Sequence, residues 1–97
     1  MRTLHTINQA PSNSQLWSSC LAALLPEDTL LLIENGVLGG TQAHRFAAVP
    51  NSVLIYALTP DLQTRGIAEQ LAPNVIAVSD ETFVQLACEH QKVVSWF

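Results

Sequence analysis

Hydrophobic and polar positions follow two different periods along the chain. Five short segments are rich in apolar and β-branched residues, as expected for strands, and they span residues 3–7, 29–33, 52–58, 74–78 and 92–97. Elsewhere apolar residues recur at helical spacing, as at Leu16, Cys20 and Leu24. Strands that alternate with helices indicate βαβ units with right-handed crossovers. We therefore predict an α/β fold, a three-layer sandwich with a mainly parallel five-stranded sheet, in a single domain over residues 1–97.

Residues 59–66 form the clearest short helical segment. Thr59 is the expected N-cap, and Pro60 suits the first helical position because its missing N–H would be unpaired there in any case. Gly66 can adopt the left-handed conformation just past the last turn. The segment is therefore predicted to be one short helix with defined ends.

The segment 29–33 is apolar on both faces, which is typical of a central parallel strand covered by helices on each side. It runs into a corner at Glu34, Asn35 and Gly36, and a weaker helical stretch is predicted after it. Ligands often bind at such strand ends, but the glycines here lack the spacing of a dinucleotide or phosphate loop, and Glu34 would repel a phosphate. We predict a structural turn with positive φ at Gly36, which places Glu34 and Asn35 where a neighbouring subunit can contact them.

Charged residues are scarce, which changes how the surface is interpreted. They make up 12% of the 97 residues, whereas hydrophobic residues make up 48% and the mean hydropathy is +0.25. A small domain with so little charge leaves apolar side chains outward unless another subunit covers them, so oligomerisation is expected. Net charge is −4 with only four basic residues, which argues against direct nucleic-acid binding. No apolar run has the length of a membrane span and no secretory pattern is present, so we expect a cytoplasmic protein.

The sequence offers no convincing catalytic constellation. Cys20 and Cys88 are far apart and lack redox or zinc-ligand spacing, and the three histidines are isolated from one another, so neither a metal nor a cofactor is expected. Asp61 and Arg65, four residues apart, are expected to pair on one helix. Cys20 is the candidate catalytic residue, because an exposed thiolate can carry a persulfide, but its place in an apolar helical stripe favours a buried, inert thiol.

Several segments together resemble the TusB/DsrH family. They are LHTI, LLLIENGV (30–37), YAL (56–58), DLQTRG (61–66) and the final WF. The resemblance covers essentially the whole chain and rests on the order and spacing of these segments, since none is decisive alone.

This resemblance implies a DsrE-like fold and a place in a heterohexamer with TusC-like and TusD-like subunits. Such a complex takes persulfide sulfur from a TusA-like carrier and passes it to a TusE-like carrier, towards 2-thiolation of the wobble uridine of tRNA. The established sulfur-carrying cysteine of the family belongs to the TusD-like subunit, so the chain is expected to be a non-catalytic assembly partner within a sulfurtransferase complex. Two alternatives stay open: Cys20 is a second persulfide carrier, or the chain belongs to a DsrEFH-type complex of sulfur oxidation.

Overall fold

The computed structural model describes residues 2–97, which form one parallel sheet with helices on both sides. The strands are β1 Thr3–Ile7, β2 Thr29–Leu32, β3 Leu54–Leu58, β4 Ile76–Val78 and β5 Lys92–Trp96. The α-helices are α1 Ser14–Ala23, α2 Thr59–Thr64 and α3 Asp80–Glu89, and 3-10 helices occur at Glu34–Thr41, Ala43–Phe46 and Ala68–Gln70.

The sheet has the order β4-β3-β2-β1-β5 and all four strand pairs are parallel. The central strand β2 is buried along its whole length, which agrees with its apolar character on both faces. The predicted α/β architecture with a five-stranded parallel sheet is thus confirmed.

The first face of the sheet carries most of the core. It is defined by the side chains of Ile7, Leu30, Leu32, Ile55 and Ala57, which pack against residues of α1, α2 and the loop segments between β2 and β3. The second face carries Leu4, Leu31 and Tyr56, which pack with Leu86 and Phe83 of α3. Strand alternation produces this division, because successive side chains point to opposite faces.

Two strands begin later than the sequence suggests. β3 starts at Leu54 rather than residue 52, and β4 at Ile76 rather than residue 74. In each case a turn precedes the strand and uses a backbone donor: Val53 N–H donates to Pro50 O, and Val75 N–H donates to Ala72 O, each at 3.0 Å. A backbone N–H engaged in a turn is not available to the ladder, so the strands shorten.

The ends of the short helix α2 are predicted only in part. Gly66 has φ +66° just after the helix, as expected. The predicted cap at Thr59 is wrong, because Thr59 is the first helical residue and Leu58 occupies the N-cap without a side-chain hydrogen bond. Leu58 is held there by the strand that precedes it, and the extended conformation of an N-cap is also that of a strand residue.

The corner after β2 is helical but differs from the prediction. A 3-10 helix begins at Glu34, and it is Glu34, with φ 50°, that adopts the left-handed conformation. The prediction of positive φ at Gly36 is therefore wrong. Glycine is needed there for another reason, since a Cβ at Gly36 would overlap the carbonyl oxygen of Ile7 at the end of β1. The constraint is close backbone approach rather than dihedral strain.

Candidate functional site

Cys20 lies in the core between α1 and the sheet. Its side chain has no solvent exposure, and it belongs to the same buried cluster as Trp17 and Leu24. Burial raises the pKa of the Cys20 thiol to about 12, because a thiolate loses its hydration there. The predicted burial of Cys20 is confirmed, and the thiol is protonated at neutral pH.

Cys88 is placed very differently. It lies in α3 and is exposed, and neither cysteine takes part in a disulfide. The chain therefore has one thiol that solvent reaches directly and one that requires movement of α1 before any reagent can approach it.

The carboxyl ends of β1, β2 and β3 bring together a second set of polar residues, which we call the carboxyl-edge network: Asn8, Glu34, Asn35, Asp61 and Arg65. Glu34 N–H donates to Asp61 Oδ2 at 2.6 Å. Arg65 donates through Nε and Nη2 to Asn35 Oδ1 at 3.0 and 2.9 Å. The segments 30–37 and 61–66 thus meet at one edge of the sheet, although neither pattern indicates the other.

Arg65 divides its contacts within this network. The expected pair with Asp61 is present as an ion pair of 3.9 Å, but the shorter hydrogen bonds of the guanidinium go to Asn35. Asp61 in turn holds Glu34 in its left-handed conformation, which otherwise costs about 1 kcal/mol or more in a residue with a side chain. Glu34 and Asn35 are both exposed, as expected for residues that can meet a neighbour. The network supplies a rigid polar surface rather than a nucleophile.

A buried polar network connects His5, Asp28 and Trp96 on the first face. Trp96 Nε1 donates to His5 Nδ1 at 3.0 Å, and His5 Nε2 lies 3.1 Å from Asp28 Oδ2. An indole N–H can only donate, so His5 Nδ1 must accept and Nε2 carries the proton that is donated to Asp28. The tautomer of the imidazole is therefore assigned by its two neighbours.

Asp28 also anchors the backbone around it. It accepts hydrogen bonds from Leu25 N–H at 3.0 Å and from Thr3 N–H at 3.1 Å. Burial by itself raises the pKa of Asp28, but these two backbone bonds and the contact with His5 outweigh it, so the pKa lies below the ordinary value. This network joins the start of β1, the loop before β2 and the end of β5, and its role is structural.

His90 is likewise a structural histidine. Its Nδ1 lies 2.7 Å from Leu86 O and its Nε2 lies 2.9 Å from Thr29 Oγ1. It thereby joins the end of α3 to the start of β2. The expectation that histidines serve as hydrogen-bonded structural side chains is confirmed for His5 and His90, whereas His44 is exposed.

Two further surveys concern the chain as far as it is described, residues 2–97. No three His, Cys, Asp or Glu side chains converge as potential metal ligands. None of the helices is both long enough and apolar enough to span a membrane.

Comparison with known proteins places this geometry in a family. The family model described as DsrH like protein matches residues 9–93. The chain belongs to the DsrH family. Curated DsrH-type relatives named Protein TusB are 36% identical in Pectobacterium atrosepticum and 31% identical in Escherichia coli. Each comparison covers 96% of this chain and 99% of the relative, so the resemblance to the TusB/DsrH family is confirmed.

A solved structure supports the fold of this DsrH family member independently. The solution NMR structure of protein Tm0979 from Thermotoga maritima superposes with a TM-score of 0.69. The comparison covers 90% of this chain and 92% of that protein at 20% identity, so it concerns the fold alone.

Sequence patterns located some of these features and missed others. The apolar stripe around Cys20 indicated its burial correctly, because helical periodicity is a local signal. The His5, Asp28 and Trp96 network was missed, since its members are separated by 23 and 91 positions along the chain. No local pattern identifies such partners.

Proposed function

We propose that this chain is a structural subunit of a cytoplasmic TusBCD-type sulfur-transfer complex, which relays persulfide sulfur towards 2-thiolation of the tRNA wobble uridine. The observation that carries the structural role is the complete burial of Cys20, with its pKa raised to about 12. The TusB names of the full-length relatives support the pathway. Two free thiols suit a reducing compartment.

Persulfide relay places specific demands on a thiol. The thiolate is the nucleophile, and it must reach the terminal sulfur of an incoming persulfide and afterwards present that sulfur to the next carrier. Cys20 has neither the ionisation nor the access for this in the folded chain. The sulfur-carrying cysteine is therefore assigned to a TusD-like partner, and this chain is a non-catalytic component of the complex.

The surface composition supports a partner-dependent role. Residues 1–97 are proposed to act as one DsrE-like domain in a heterohexamer with TusC-like and TusD-like subunits, and the complex exchanges sulfur with TusA-like and TusE-like carriers. Exposed apolar side chains with little charge suit burial against other subunits. Four basic residues provide too few phosphate contacts for direct binding of tRNA.

The test is reconstitution with the TusC-like and TusD-like subunits, loading from a persulfide donor, and intact-mass analysis of each chain. We expect only the TusD-like subunit to gain sulfur, and Cys20→Ser to leave transfer within about a factor of two of the wild-type rate. Cys88→Ser is the matched control, since it removes the exposed thiol instead. If this chain gains one sulfur and Cys20→Ser slows transfer tenfold or more, about 1.4 kcal/mol in the barrier, then Cys20 is a carrier.

The pathway is tested separately in cells. Deleting the gene should lower the 2-thiouridine content of tRNA, measured by mass spectrometry of nucleosides, and the wild-type chain should restore it. Unchanged 2-thiouridine together with lost sulfur oxidation would instead place the chain in a DsrEFH-type complex.

A further inference from the structure

The second face of the sheet is only partly covered. Strands of a parallel sheet are usually covered on both faces. In the part of the chain that the structure describes, α3 is the one α-helix packed on this face, where Leu86 contacts the cluster of Leu4 and Leu31 on β1 and β2. A helix about 10 Å wide covers about two strands spaced about 4.8 Å apart. One helix therefore cannot cover five strands, and β3 and β4 lie at the uncovered side.

The consequence is an apolar area that we call the uncovered patch: Leu54, Tyr56 and Ile76. Tyr56 and Ile76 are register partners in neighbouring strands, and Leu54 points to the same face as Tyr56. Leu54 and Ile76 are each 49% exposed, which is unusual for apolar side chains of a parallel sheet. A groove of about 350 Å³ separates Leu54 and Tyr56 from Leu86 of α3.

We propose that the uncovered patch is the docking site for an α-helix of a sister subunit, which lies beside α3 and completes the second helical layer. This inference rests on the proposed function. The docking helix has an apolar stripe that packs on Leu54 and Ile76, and a lysine or arginine that faces the acidic rim of the groove.

The charges around the patch select this occupant. Glu27, Glu89 and Arg2 line one end of the groove, so acidic groups outnumber basic ones there. The helix α3 contains Asp80, Glu81 and Glu89 but no lysine or arginine. A second copy of this chain would bring the same acidic helix against the same rim, which like-charge repulsion disfavours. A helix with a basic flank satisfies both the apolar patch and its rim.

The experiment is co-expression with each sister subunit, TusC-like or TusD-like, and measurement of affinity and of molar mass by light scattering. Leu54→Asp and Ile76→Asp should each weaken assembly by a hundredfold or more. Phe97→Asp is the matched control, because Phe97 is 68% exposed but lies after β5, on the far side of the sheet, and it should assemble like wild type. Glu89→Lys should also weaken assembly, and tighter binding by that variant would contradict a basic partner helix.

A second measurement guards against misfolding of the aspartate variants. Ile76→Cys in a Cys88→Ser background should react with maleimide in the free chain and be protected in the complex. Equal reactivity in both states, or normal assembly of both patch variants when the wild type assembles, would overturn the docking site and leave the proposed function standing. Failure of the wild-type chain to assemble with either sister subunit would overturn both.

Discussion

The two faces of the sheet use the same strands for different purposes. On the first face, Ile7, Leu30 and Leu32 are completely buried beneath α1, α2 and the 3-10 segments. On the second face, α3 covers the centre while Leu54 and Ile76 remain about half exposed. The two cysteines follow the same division, with Cys20 buried in α1 and Cys88 exposed on α3. One face thus stabilises the fold, and the other keeps apolar surface for a partner.

The largest expected contrast is in thiol reactivity. Cys88 should react with maleimide at pH 7 at least about a thousandfold faster than Cys20, because burial of Cys20 both blocks access and suppresses its thiolate. Peptide mapping after timed labelling measures both rates in the same sample, and urea-unfolded protein, in which the two should react alike, is the control. Rates within tenfold of each other in the native chain would mean that the first-face layer opens readily.

Truncation of matched leucines compares the faces in free energy. Leu32→Ala should lower the free energy of unfolding by about 3 to 4 kcal/mol, because it leaves a cavity in a fully buried site. Leu54→Ala should cost less than about 1 kcal/mol, since its side chain is half exposed and neighbouring water fills the space. Urea unfolding of the isolated chain provides both values. Equal losses would show that the second face is already covered in solution, for instance by self-association.

The smallest expected effect concerns the polar anchor of the first face. Asp28→Asn should cost about 1 to 2 kcal/mol at pH 7, because an amide cannot accept all the hydrogen bonds that the carboxylate receives from Leu25, Thr3 and His5. The folded-state pKa of Asp28 is lowered from 3.8, so its contribution is present above that pH and is lost as the pH falls through the folded value.

The stability difference between wild type and Asp28→Asn should therefore be constant near neutrality and narrow below about pH 3.8. Urea unfolding between pH 3 and 7 measures this difference. Glu27→Gln, one residue earlier and exposed, should show no comparable change. A difference that stays constant down to pH 3 would assign the effect to packing rather than to the charge of Asp28.

Close inspection of single positions shows why sequence patterns reached some features only. The need for glycine at position 36 was recognised, but its cause was wrong, because the obstacle is the Ile7 carbonyl oxygen on another strand. The pairing of Asp61 with Arg65 was predicted from their spacing on one helix, whereas the stronger bonds of Arg65 to Asn35 span 30 positions. In both cases the missing information was the identity of a distant neighbour.

The sequence by itself determined the five strands, the three principal helices, the buried stripe of Cys20 and the family, because periodicity, turn residues and motif order are read locally along the chain. Only the tertiary structure decided that β3 and β4 have an uncovered second face, that Asn35 meets Arg65, and that Trp96 and Asp28 assign the tautomer of His5. Those features depend on the strand order β4-β3-β2-β1-β5 and on where the one helix α3 crosses it. Long-range packing sets both, and the local pattern of apolar residues is the same whether a partner or a helix of the chain covers each strand.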